Sequence, residues 1–434
     1  MTEDKISTLI DLYEELIPRS TEVRSFLLEI LAACDGSLED ASNMLNDTLG
    51  VIRHLPNKKH SIDQDQVGRR FHKVQRSLNY FIADEDKKIK PVGVDTRVKV
   101  SKNAIELHGQ EDIEGNIKYL TFHEKVLPED LANELLRQLL NDKEGFTQNE
   151  FHLFGNKCIS NHTSKKFSSD PFILDGNASL QYNNRTGPIN EYNDTLKIVQ
   201  LLIEDVVNEA IQQFEPLPFQ IRAPNWKGEV VLVNRYEKTE YLLWHSDRLT
   251  SLGPQAIVAS LSLGCAREFR VRRNYPSDSQ VYIIRPPHNS LIIMHAGFQE
   301  EYKHCIYHQT NNQATNLHPI SKDVRFNLTY RNYLRKYMED PPRCPRCDAA
   351  MDLRRSFKDP SYRGQYLWQC AGHYTGKDCK GMRLADFSSS SLTVDDKLGH
   401  GSRWLASDDI EAKKQQEQQE LPEDLTLMDP EKFT

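Results

Sequence analysis

The sequence predicts an α+β multidomain protein, in which a double-stranded β-helix, or jelly roll, carries flanking helices. Three observations lead to this prediction. The 434 residues exceed the length of one ordinary domain. Helical patterns are followed, after Pro218, by many short strand-like runs between turn residues. Four of the eight cysteines lie close together near the C-terminus. We therefore expect five segments, which are 1–50, 51–105, 106–335, 340–390 and 391–434.

Composition limits the class of protein. Hydrophobic residues make up 38% and charged residues 27% of the chain, which is typical of soluble globular domains joined by polar connectors. No run approaches the roughly 18 consecutive apolar residues of a membrane span, and the N-terminus lacks the pattern of a secretory signal. We expect an intracellular monomer without a membrane segment. The net charge of −8 means that nucleic-acid binding would depend on local basic patches.

Residues 1–50 predict three short amphipathic helices, because apolar residues recur there in three runs at helical spacing. This small N-terminal helical bundle resembles a CUE-type ubiquitin-binding domain. Leu16-Ile17-Pro18 stands where that family has Met-Phe-Pro, and Met44-Leu45 lies near its dileucine. The resemblance implies ubiquitin as a partner. The alternative is a plain three-helix docking module.

Residues 51–105 are polar and charged and predict a flexible linker. Within them, Gln75 to Ile82 resembles the peptide that docks on the sliding clamp PCNA, which implies PCNA as a partner through residues 75–82. Ile82 replaces the second aromatic residue of that pattern. A chance match within a linker is the interpretation that we favour for so short a pattern.

Residues 106–335 change from helical to strand-like texture. A helix is expected after Pro128, where acidic residues fill the first turn, and a longer helix is expected up to Ile211. Short apolar runs follow and predict the strands Val230–Tyr236, Ile257–Leu263, Phe269–Arg273, Val281–Arg285, Leu291–Met294 and Arg325–Tyr330. Helices outside many short strands favour a jelly roll for this segment.

A metal-type pair lies among these strands. His245 and Asp247 are two residues apart, so that both side chains leave a strand on the same side. A second histidine is required, and the candidates are His304, His308 and His295, which spacing alone does not separate. Two histidines and one carboxylate favour iron(II) and leave coordination positions for a 2-oxo acid and dioxygen.

The segment from Arg325 to Arg331 alternates polar and apolar residues, so that Arg325, Asn327 and Arg331 would face inward on a strand. Inward arginines are costly unless an anion meets them. A dicarboxylate such as 2-oxoglutarate suits the forked guanidinium. Asn234 and Tyr236 place an amide and a phenol on one face of another strand. The alternative is a surface strand with alternating charge.

Taken in order, Asn234-x-Tyr236, His245-x-Asp247, His304 and the segment 325–331 resemble the AlkB family of alkylation-repair dioxygenases over roughly residues 106–335. The resemblance selects His304 over His308 and implies His245, Asp247 and His304 as the iron ligands. It also implies contacts to 2-oxoglutarate from Asn234, Tyr236, Arg325, Asn327 and Arg331. The implied reaction consumes O2, hydroxylates an N-methyl group that leaves as formaldehyde, and converts 2-oxoglutarate into succinate. DNA repair in the nucleus is the implied role.

Two sets of residues are candidates for contacts to the nucleic acid. The region 150–190 resembles the nucleotide-recognition lid of the family and offers Lys165, Lys166, Tyr182 and Arg185. The basic run that contains Arg267 and Arg270 would suit phosphates. Either set could instead be an ordinary solvated surface.

The sequence departs from the family after its His-x-Asp motif. Repair members carry acidic residues there, which help to read the methylated base, whereas Arg248-Leu249-Thr250 stands in this chain. The departure leaves the base preference, and the choice between DNA and RNA, open.

Cys344, Cys347, Cys370 and Cys379 predict a structural zinc site in a C-terminal zinc finger, because four thiolates suit a closed tetrahedral ion. His373 is a possible substitute ligand, and a redox-active CxxC pair is the alternative. The run from Arg363 to Cys370 resembles the GRF-type zinc finger, which implies binding of single-stranded DNA. Nearby cations and aromatic residues form the mixture that single strands prefer, and they are Arg346, Arg354, Arg355, Lys358, Tyr362, Arg363, Tyr366 and Trp368. Lys380-Gly381-Met382 departs from the paired aromatics of that finger.

We therefore expect an iron(II) and 2-oxoglutarate-dependent dioxygenase that oxidatively demethylates alkylated nucleic-acid bases, with DNA favoured over RNA. Three alternatives remain. The same centre could act on RNA or on a protein side chain, or the chain could be a ubiquitin- and DNA-binding adaptor with an inactive dioxygenase domain. An inactive domain would lack a ligand or an arginine, and the sequence lacks neither.

Overall fold

The computed structural model describes residues 2–17, 19–34, 37–49, 53, 55, 104–142, 144–153, 156–176, 188–237, 239–276, 279–307, 317–372, 379–394 and 401–417. The clamp-type peptide 75–82 lies outside these ranges. So do four of the side chains singled out above, which are Tyr182, Arg185, His308 and His373. Among the described residues, no helix is both long and apolar enough to cross a membrane.

Three helices occupy the N-terminal segment, and they are α1 Thr2–Leu12, α2 Thr21–Ala33 and α3 Leu38–Leu49. They pack around an apolar cluster that also contains Cys158 and Tyr241 of the following domain. The Tyr241 hydroxyl donates to the carbonyl oxygen of Met44 at 2.9 Å. Met44 and Leu45, on which the resemblance to a ubiquitin-binding domain rests, are buried with Ile17 in this cluster. In this arrangement their side chains contact the chain itself.

Two sheets form the core between residues 104 and 331. Their strands are β1 Ile105–Glu106, β2 Leu120–Glu124, β3 Thr147–Leu153, β4 Asn156–Ser168, β5 Ile189–Glu191, β6 Val230–Tyr236, β7 Leu242–His245, β8 Val258–Gly264, β9 Phe269–Arg273, β10 Tyr282–Ile284, β11 Ser290–Met294, β12 Tyr302–Ile306 and β13 Arg325–Arg331. The larger sheet has the order β2-β11-β8-β13-β6-β4-β3, and β5 pairs with β4. The smaller sheet has the order β1-β10-β9-β12-β7. All neighbours are antiparallel except the pairs β1–β10 and β4–β5.

Six helices accompany the sheets, and they are α4 Gly109–Asn116, α5 Glu129–Asn141, α6 Pro171–Leu174, α7 Asp194–Ile211, α8 Phe298–Glu301 and α9 Arg335–Glu339. The helix α5 begins directly after Pro128, as predicted, and buries one apolar stripe. The side chain of Asn193 caps α7 by accepting from the backbone N–H of Leu196 at 2.8 Å. Both helices share an apolar cluster with the larger sheet.

The strand β13 shows why the larger sheet has one apolar and one polar face. Phe326, Leu328 and Tyr330 are fully buried in the cluster that includes α5 and α7. Arg325 and Asn327 alternate with them and therefore face the other sheet. The alternative of a surface strand with alternating charge is excluded, since both faces are covered.

A C-terminal unit follows, in which β14 Met351–Arg355, β15 Tyr366–Cys370 and β16 Met382–Leu384 form an antiparallel sheet. Its apolar residues belong to the same cluster as those of the smaller sheet and α9, so the two units share one core. Tyr366 and Trp368 are fully buried in that core. They are therefore not available to stack on single-stranded bases, in contrast to the role that the sequence suggested.

Residues 401–417 also differ from the prediction, which made 391–434 a disordered tail. Trp404, Ala406 and Ala412 are buried, and α10 spans Ile410–Glu417. Asp409 lies 3.1 Å from Arg363 and fixes this segment to the C-terminal unit. The polar composition hid these few apolar anchors, which are enough to order a short segment against an existing core.

Candidate functional site

Three side chains meet where the smaller sheet faces the interior. His245 ends β7, and its Cα lies opposite that of His304 on β12. Their ring centroids are 4.3 Å apart, and His245 Nε2 lies 3.8 Å from Asp247 Oδ1. One ligand atom from each of the three residues falls within 4.8 Å of the other two. The pair predicted from His-x-Asp and the histidine selected by the resemblance therefore come together.

The hydrogen bonds of His245 determine its tautomer. Its Nδ1 lies 2.8 Å from the carbonyl oxygen of Leu243, which can only accept, so Nδ1 carries the hydrogen. The Nε2 lone pair is therefore directed at the cluster. Burial lowers the pKa of both His245 and His304, which keeps the two imidazoles neutral as metal ligands must be.

Asp247 is held from two sides. Its backbone N–H donates to Gln299 Oε1 at 2.7 Å, and its Oδ2 accepts from Arg331 Nε at 2.8 Å. Burial alone would raise the pKa of Asp247, but Arg331 and the two histidines outweigh it and lower the pKa to about 2. The carboxylate is therefore charged at neutral pH. Arg331, predicted as a contact to 2-oxoglutarate, is here a partner of the carboxylate.

His295, one of the competing histidines, lies elsewhere. Its Nε2 is 2.9 Å from Thr121 Oγ1, and its ring packs on Phe214. It is a buried histidine with its own hydrogen-bond partner, so it does not enter the cluster. Among the described histidines, His304 is the one that completes the set with His245 and Asp247.

A row of polar side chains leads away from this cluster. In the pairing of β13 with β6, Arg325 lies opposite Tyr236 and Asn327 lies opposite Asn234. Arg325 Nη2 donates to Ser262 Oγ at 3.0 Å and to Asn327 Oδ1 at 3.1 Å. The remaining guanidinium atoms Nε and Nη1, the Tyr236 hydroxyl and Asn234 Oδ1 are buried and have no partner within the described residues.

Unsatisfied buried groups of this kind are costly, and a native chain retains them where a ligand supplies the partner. Arg325 is 1% exposed and Tyr236 is 0% exposed, so water is not an easy substitute. A guanidinium and a phenol that both need an acceptor fit a carboxylate. The two imidazoles and the carboxylate fit iron(II) in its usual non-haem donor set. The residues present therefore fit both groups.

Two lysines that were predicted to contact the nucleic acid lie on opposite faces of β4. Lys166 is half-buried on the site side of β4, and burial lowers its pKa, with a smaller contribution from Arg331. Lys165 faces the other way and pairs with Asp142 at 2.7 Å. Lys166 can therefore contribute to the site, whereas Lys165 does not reach it.

Arg267 and Arg270 differ from the prediction that they bind phosphates at the surface. Arg270 is 6% exposed and pairs with Glu268 at 2.7 Å. Arg267 is 1% exposed and donates to the carbonyl oxygens of Glu240 and Tyr307. Arg267 and Arg270 are therefore buried, and the long-range contacts of Arg267 leave no trace in a local sequence pattern.

His162 is a residue of the site that the sequence reasoning missed. Its ring stacks on Tyr236 with a centroid distance of 4.8 Å, and its Nδ1 lies 3.1 Å from the carbonyl oxygen of Tyr241. Burial lowers the pKa of His162 to about 4, so the ring is neutral. It supports the phenol of Tyr236. A lone histidine outside any motif gives no sequence signal for such a role.

The four clustered cysteines also come together. One sulfur from each of Cys344, Cys347, Cys370 and Cys379 lies within 4.8 Å of the others, although 35 residues separate the first from the last. The sulfurs of Cys344 and Cys379 are 3.6 Å apart, and those of Cys347 and Cys370 are 3.5 Å apart. Four sulfurs at mutual distances of this size fit a tetrahedral ion better than a single CxxC redox pair.

The C-terminal unit touches the segment that follows Asp247. Asp352 of β14 is paired with Arg248 and accepts from Thr250 Oγ1 at 3.2 Å. The backbone N–H of Leu353 in turn donates to Thr250 Oγ1 at 3.2 Å. Arg248 and Thr250, which depart from the family pattern, are therefore fixed by the C-terminal unit.

Comparison with known proteins agrees with this geometry. Residues 119–331 match the family model described as the 2OG-Fe(II) oxygenase superfamily. The alpha-ketoglutarate-dependent dioxygenase alkB homolog 3 of Homo sapiens is 34% identical over 98 residues, or 20% of this chain and 30% of that protein. The DNA oxidative demethylase ALKBH2 of Arabidopsis thaliana is 26% identical over 132 residues, or 25% of this chain and 38% of that protein. A solved structure described as "The structure of OsALKBH1" is 16% identical, with coverage of 49% of this chain and 98% of its own and a TM-score of 0.34.

The matched segment contains every residue of the site from Asn234 to Arg331. Residues 119–331 therefore match the 2OG-Fe(II) oxygenase superfamily, are called the oxygenase domain below and have relatives among the alkB homologues; that superfamily implies iron(II) and 2-oxoglutarate. The chain spans about a third of the length of the curated relatives it matches. The relatives' own substrates therefore do not transfer to it directly.

Proposed function

We propose that the protein is an iron(II) and 2-oxoglutarate-dependent dioxygenase that oxidatively demethylates alkylated nucleic-acid bases. DNA is the favoured substrate, since the Arabidopsis relative is named a DNA oxidative demethylase. Repair of alkylated DNA in the nucleus is the corresponding role.

One observation carries the proposal. A cluster of two neutral imidazoles and a carboxylate lies in the same interior as a buried phenol and a buried guanidinium, of which the hydroxyl and two nitrogens have no hydrogen-bond partner among the described residues. The cluster, formed by His245, Asp247 and His304, suits a divalent iron, whereas Arg325 and Tyr236 suit a carboxylate. A site built only for stability would pair these groups within the chain.

In this proposal each residue has a defined task. His245, Asp247 and His304 hold the iron, and Arg331 keeps the Asp247 carboxylate ionised and oriented. Five residues contact 2-oxoglutarate, and they are Asn234, Tyr236, Arg325, Asn327 and Arg331. When bound, the iron supplies the oxidising power for which side chains have no equivalent. Overall, 2-oxoglutarate, O2 and the N-methyl base give succinate, carbon dioxide, formaldehyde and the unmethylated base.

Lys166 is the described residue that best fits a contact to the nucleic acid. Its half-buried ammonium lies near the interior, where burial lowers its pKa and makes an anionic neighbour favourable. A phosphate beside the flipped base would supply that neighbour. Replacing Lys166 with methionine would keep its bulk and remove that charge.

The four-cysteine cluster is proposed to hold a structural zinc ion. Its sulfurs are the donor set of closed zinc sites, which lack an open position for chemistry. The ion would fix the ends of β14, β15 and β16, and through Asp352 it would support the segment at Arg248. In this view the C-terminal unit belongs to the body of the enzyme.

The test is turnover of defined oligonucleotides. The protein would be incubated with iron(II), 2-oxoglutarate and oxygen, together with 1-methyladenine or 3-methylcytosine in single-stranded DNA, duplex DNA or RNA. Formaldehyde and succinate would both be measured. We expect oligonucleotide-dependent formaldehyde release, with DNA preferred, and none in His245→Ala.

His108→Ala is the matched control, because His108 is an exposed histidine of the same domain and should leave turnover unchanged. A preference for RNA would keep the chemistry and change the substrate. Succinate formation without formaldehyde from any of the oligonucleotides would contradict the nucleic-acid substrate. Absence of both products with iron bound would contradict the dioxygenase.

A further inference from the structure

Arg267 is a second buried cation that the site as described does not use. It lies between β8 and β9 and is 1% exposed. Its Nη2 donates to the carbonyl oxygens of Glu240 at 2.6 Å and of Tyr307 at 3.3 Å. Its Nε and Nη1 are buried and have no hydrogen-bond partner among the described residues. Two carbonyls thus hold one edge of the guanidinium, and the other donors remain to be satisfied.

Arg267 lies close to Arg325, which is at the opposite end of β13 from Arg331. Arg325 is paired with Gly264 in the register of β13 with β8, and Arg267 follows Gly264 by three residues. Arg325 is also paired with Tyr236, on the opposite side of β13. Burial raises the pKa of Tyr236 and the two guanidiniums oppose that shift, and Arg325 Cζ lies 5.7 Å from the centre of the Tyr236 ring. Three unsatisfied groups, two guanidiniums and one phenol, therefore lie around one small region.

The charge balance of this region is unusual. No carboxylate of the described residues lies within ion-pair distance of Arg267 or Arg325. The carboxylate next to Arg267 in the chain, Glu268, is already paired with Arg270 and Arg285. Two neighbouring buried cations without a counter-ion are unfavourable by themselves, and an anion with several acceptor positions removes the penalty.

We propose that Arg267 is a second contact to the distal carboxylate of 2-oxoglutarate and a determinant of the preference for a dicarboxylic oxo acid. This inference rests on the proposed function, because it concerns the same cofactor. Arg325 and Arg267 each have two unsatisfied N–H donor atoms, and the Tyr236 hydroxyl has one. An ionised carboxylate offers about four acceptor positions, so it can serve both cations. The carbonyls of Glu240 and Tyr307 orient Arg267 for this contact.

The competing explanation is that Arg267 only ties the carbonyl oxygens of residues 240 and 307 together. The two explanations differ in what happens to a ligand that lacks the distal carboxylate. Pyruvate shares the 2-oxo acid group of 2-oxoglutarate and has no second carboxylate. If Arg267 contacts the distal carboxylate, its replacement weakens the binding of 2-oxoglutarate alone. If its role is structural, its replacement weakens the binding of both ligands equally.

The experiment is anaerobic calorimetry on the full chain loaded with manganese(II), titrated with 2-oxoglutarate or with pyruvate. For Arg267→Gln we expect 2-oxoglutarate to bind about 10- to 100-fold more weakly, the loss typical of charge-assisted hydrogen bonds. Pyruvate binding should change by less than about 2-fold. Arg235→Gln is the matched control, since Arg235 precedes Tyr236 on β6, faces away from the site and pairs with Glu237.

Arg267→Lys keeps the charge and loses the fork, so it tests the inference if Arg267→Gln does not fold. It should weaken 2-oxoglutarate less than Arg267→Gln does and leave pyruvate unchanged. Equal losses of affinity for both ligands, or no loss for either, would overturn the inference. The proposed function would still stand if the wild-type protein binds 2-oxoglutarate. Wild-type protein that binds manganese(II) but not 2-oxoglutarate would overturn both.

Discussion

Two groups of buried arginines show how the same side chain serves different ends in this molecule. The pocket arginines, Arg267 and Arg325, lie inside the oxygenase domain, where each has two unsatisfied nitrogens and no carboxylate partner among the described residues. The seam arginines, Arg355 and Arg363, lie at the C-terminal unit and meet carboxylates. Arg355 pairs with Glu301 at 2.9 Å, and Arg363 pairs with Asp409 at 3.1 Å.

Burial does not separate the two groups, since all four side chains are at most 9% exposed. The difference lies in the partner. The seam arginines have their counter-charges within the chain, so Arg355 stabilises the contact of the C-terminal unit with the oxygenase domain and Arg363 its contact with residues 401–417. The pocket arginines have no carboxylate partner among the described residues, and we propose that a ligand supplies the missing anion.

Further contacts at this seam, between the C-terminal unit and the oxygenase domain, hold the two together. Arg355 Nη1 donates to the carbonyl oxygen of Glu300 at 2.9 Å, directly before the strand that carries His304. Tyr366 donates to Glu300 Oε1 at 3.2 Å. The residues next to His304, a proposed iron ligand, are thus supported by the C-terminal sheet.

The largest effect is expected from removing one cysteine of the four-cysteine cluster, because this change disrupts the whole C-terminal unit. Cys370→Ser should abolish zinc binding and unfold the C-terminal unit, since structural zinc contributes about 10–16 kcal/mol of apparent binding free energy in small zinc domains. Zinc content and the melting temperature would be measured together. Cys265→Ser, which alters a cysteine outside the cluster, should change neither. A variant without zinc and with an unchanged melting temperature would show that the cluster has no structural role.

The next largest effect is expected from replacing one of the seam arginines, Arg355. Arg355→Met leaves the buried carboxylate of Glu301 with less compensation, so the free energy of unfolding should fall by about 3–5 kcal/mol. The control is Arg19→Met, since Arg19 pairs with Asp11 at 2.9 Å with two-thirds of both side chains exposed. That change should cost less than about 1 kcal/mol. Equal effects of the two variants in denaturant titrations would remove the distinction between the seam and an ordinary surface pair.

A pocket arginine should show the opposite profile. Arg325→Met removes two charge-assisted contacts to 2-oxoglutarate, so the KM for this co-substrate should rise about 100-fold. The free energy of unfolding should change by less than about 1 kcal/mol, because an uncompensated buried cation is removed as well. Steady-state kinetics and denaturant titration of the same preparation decide the matter. A large loss of stability with an unchanged KM would make Arg325 a structural residue.

The prediction with the smallest effect at neutral pH concerns the acid sensitivity of the oxygenase domain. Burial, with a smaller contribution from His123, lowers the pKa of His295 to about 3 in the folded protein, against about 6.5 when unfolded. The stability due to neutral His295 is therefore present above pH 6.5 and is lost as the pH falls towards 3, by about 1.4 kcal/mol for each unit. His295→Gln should flatten this part of the profile of unfolding free energy against pH. An unchanged slope would show that other groups dominate.

The sequence predicted those parts of the site that local patterns encode. Alternation along β13 identified Arg325 and Asn327 as inward residues, because a strand repeats every two residues. The pair His245 and Asp247 was identified for the same reason. The choice of His304 required the resemblance, since only the pairing of β12 with β7 brings it to His245.

The parts that the sequence did not predict depend on contacts between distant residues. Arg267 was a candidate for contacts to phosphates, yet carbonyl oxygens 27 and 40 residues away in the chain hold it inside. Trp368 was expected to stack on bases, yet it packs in the shared core. Trp404 was placed in a disordered tail, although its neighbours in space are Tyr119 and Arg355. Local composition carries no information on such neighbours.

The most direct test of the central claim is the coupling of the two products on a single substrate. Wild-type protein with iron(II), 2-oxoglutarate, oxygen and single-stranded DNA containing 1-methyladenine should release formaldehyde together with at least an equal amount of succinate. His245→Ala should release neither, while keeping the melting temperature of the wild type. Formaldehyde release that persists in His245→Ala, or succinate formation that never depends on the methylated base, would contradict the account.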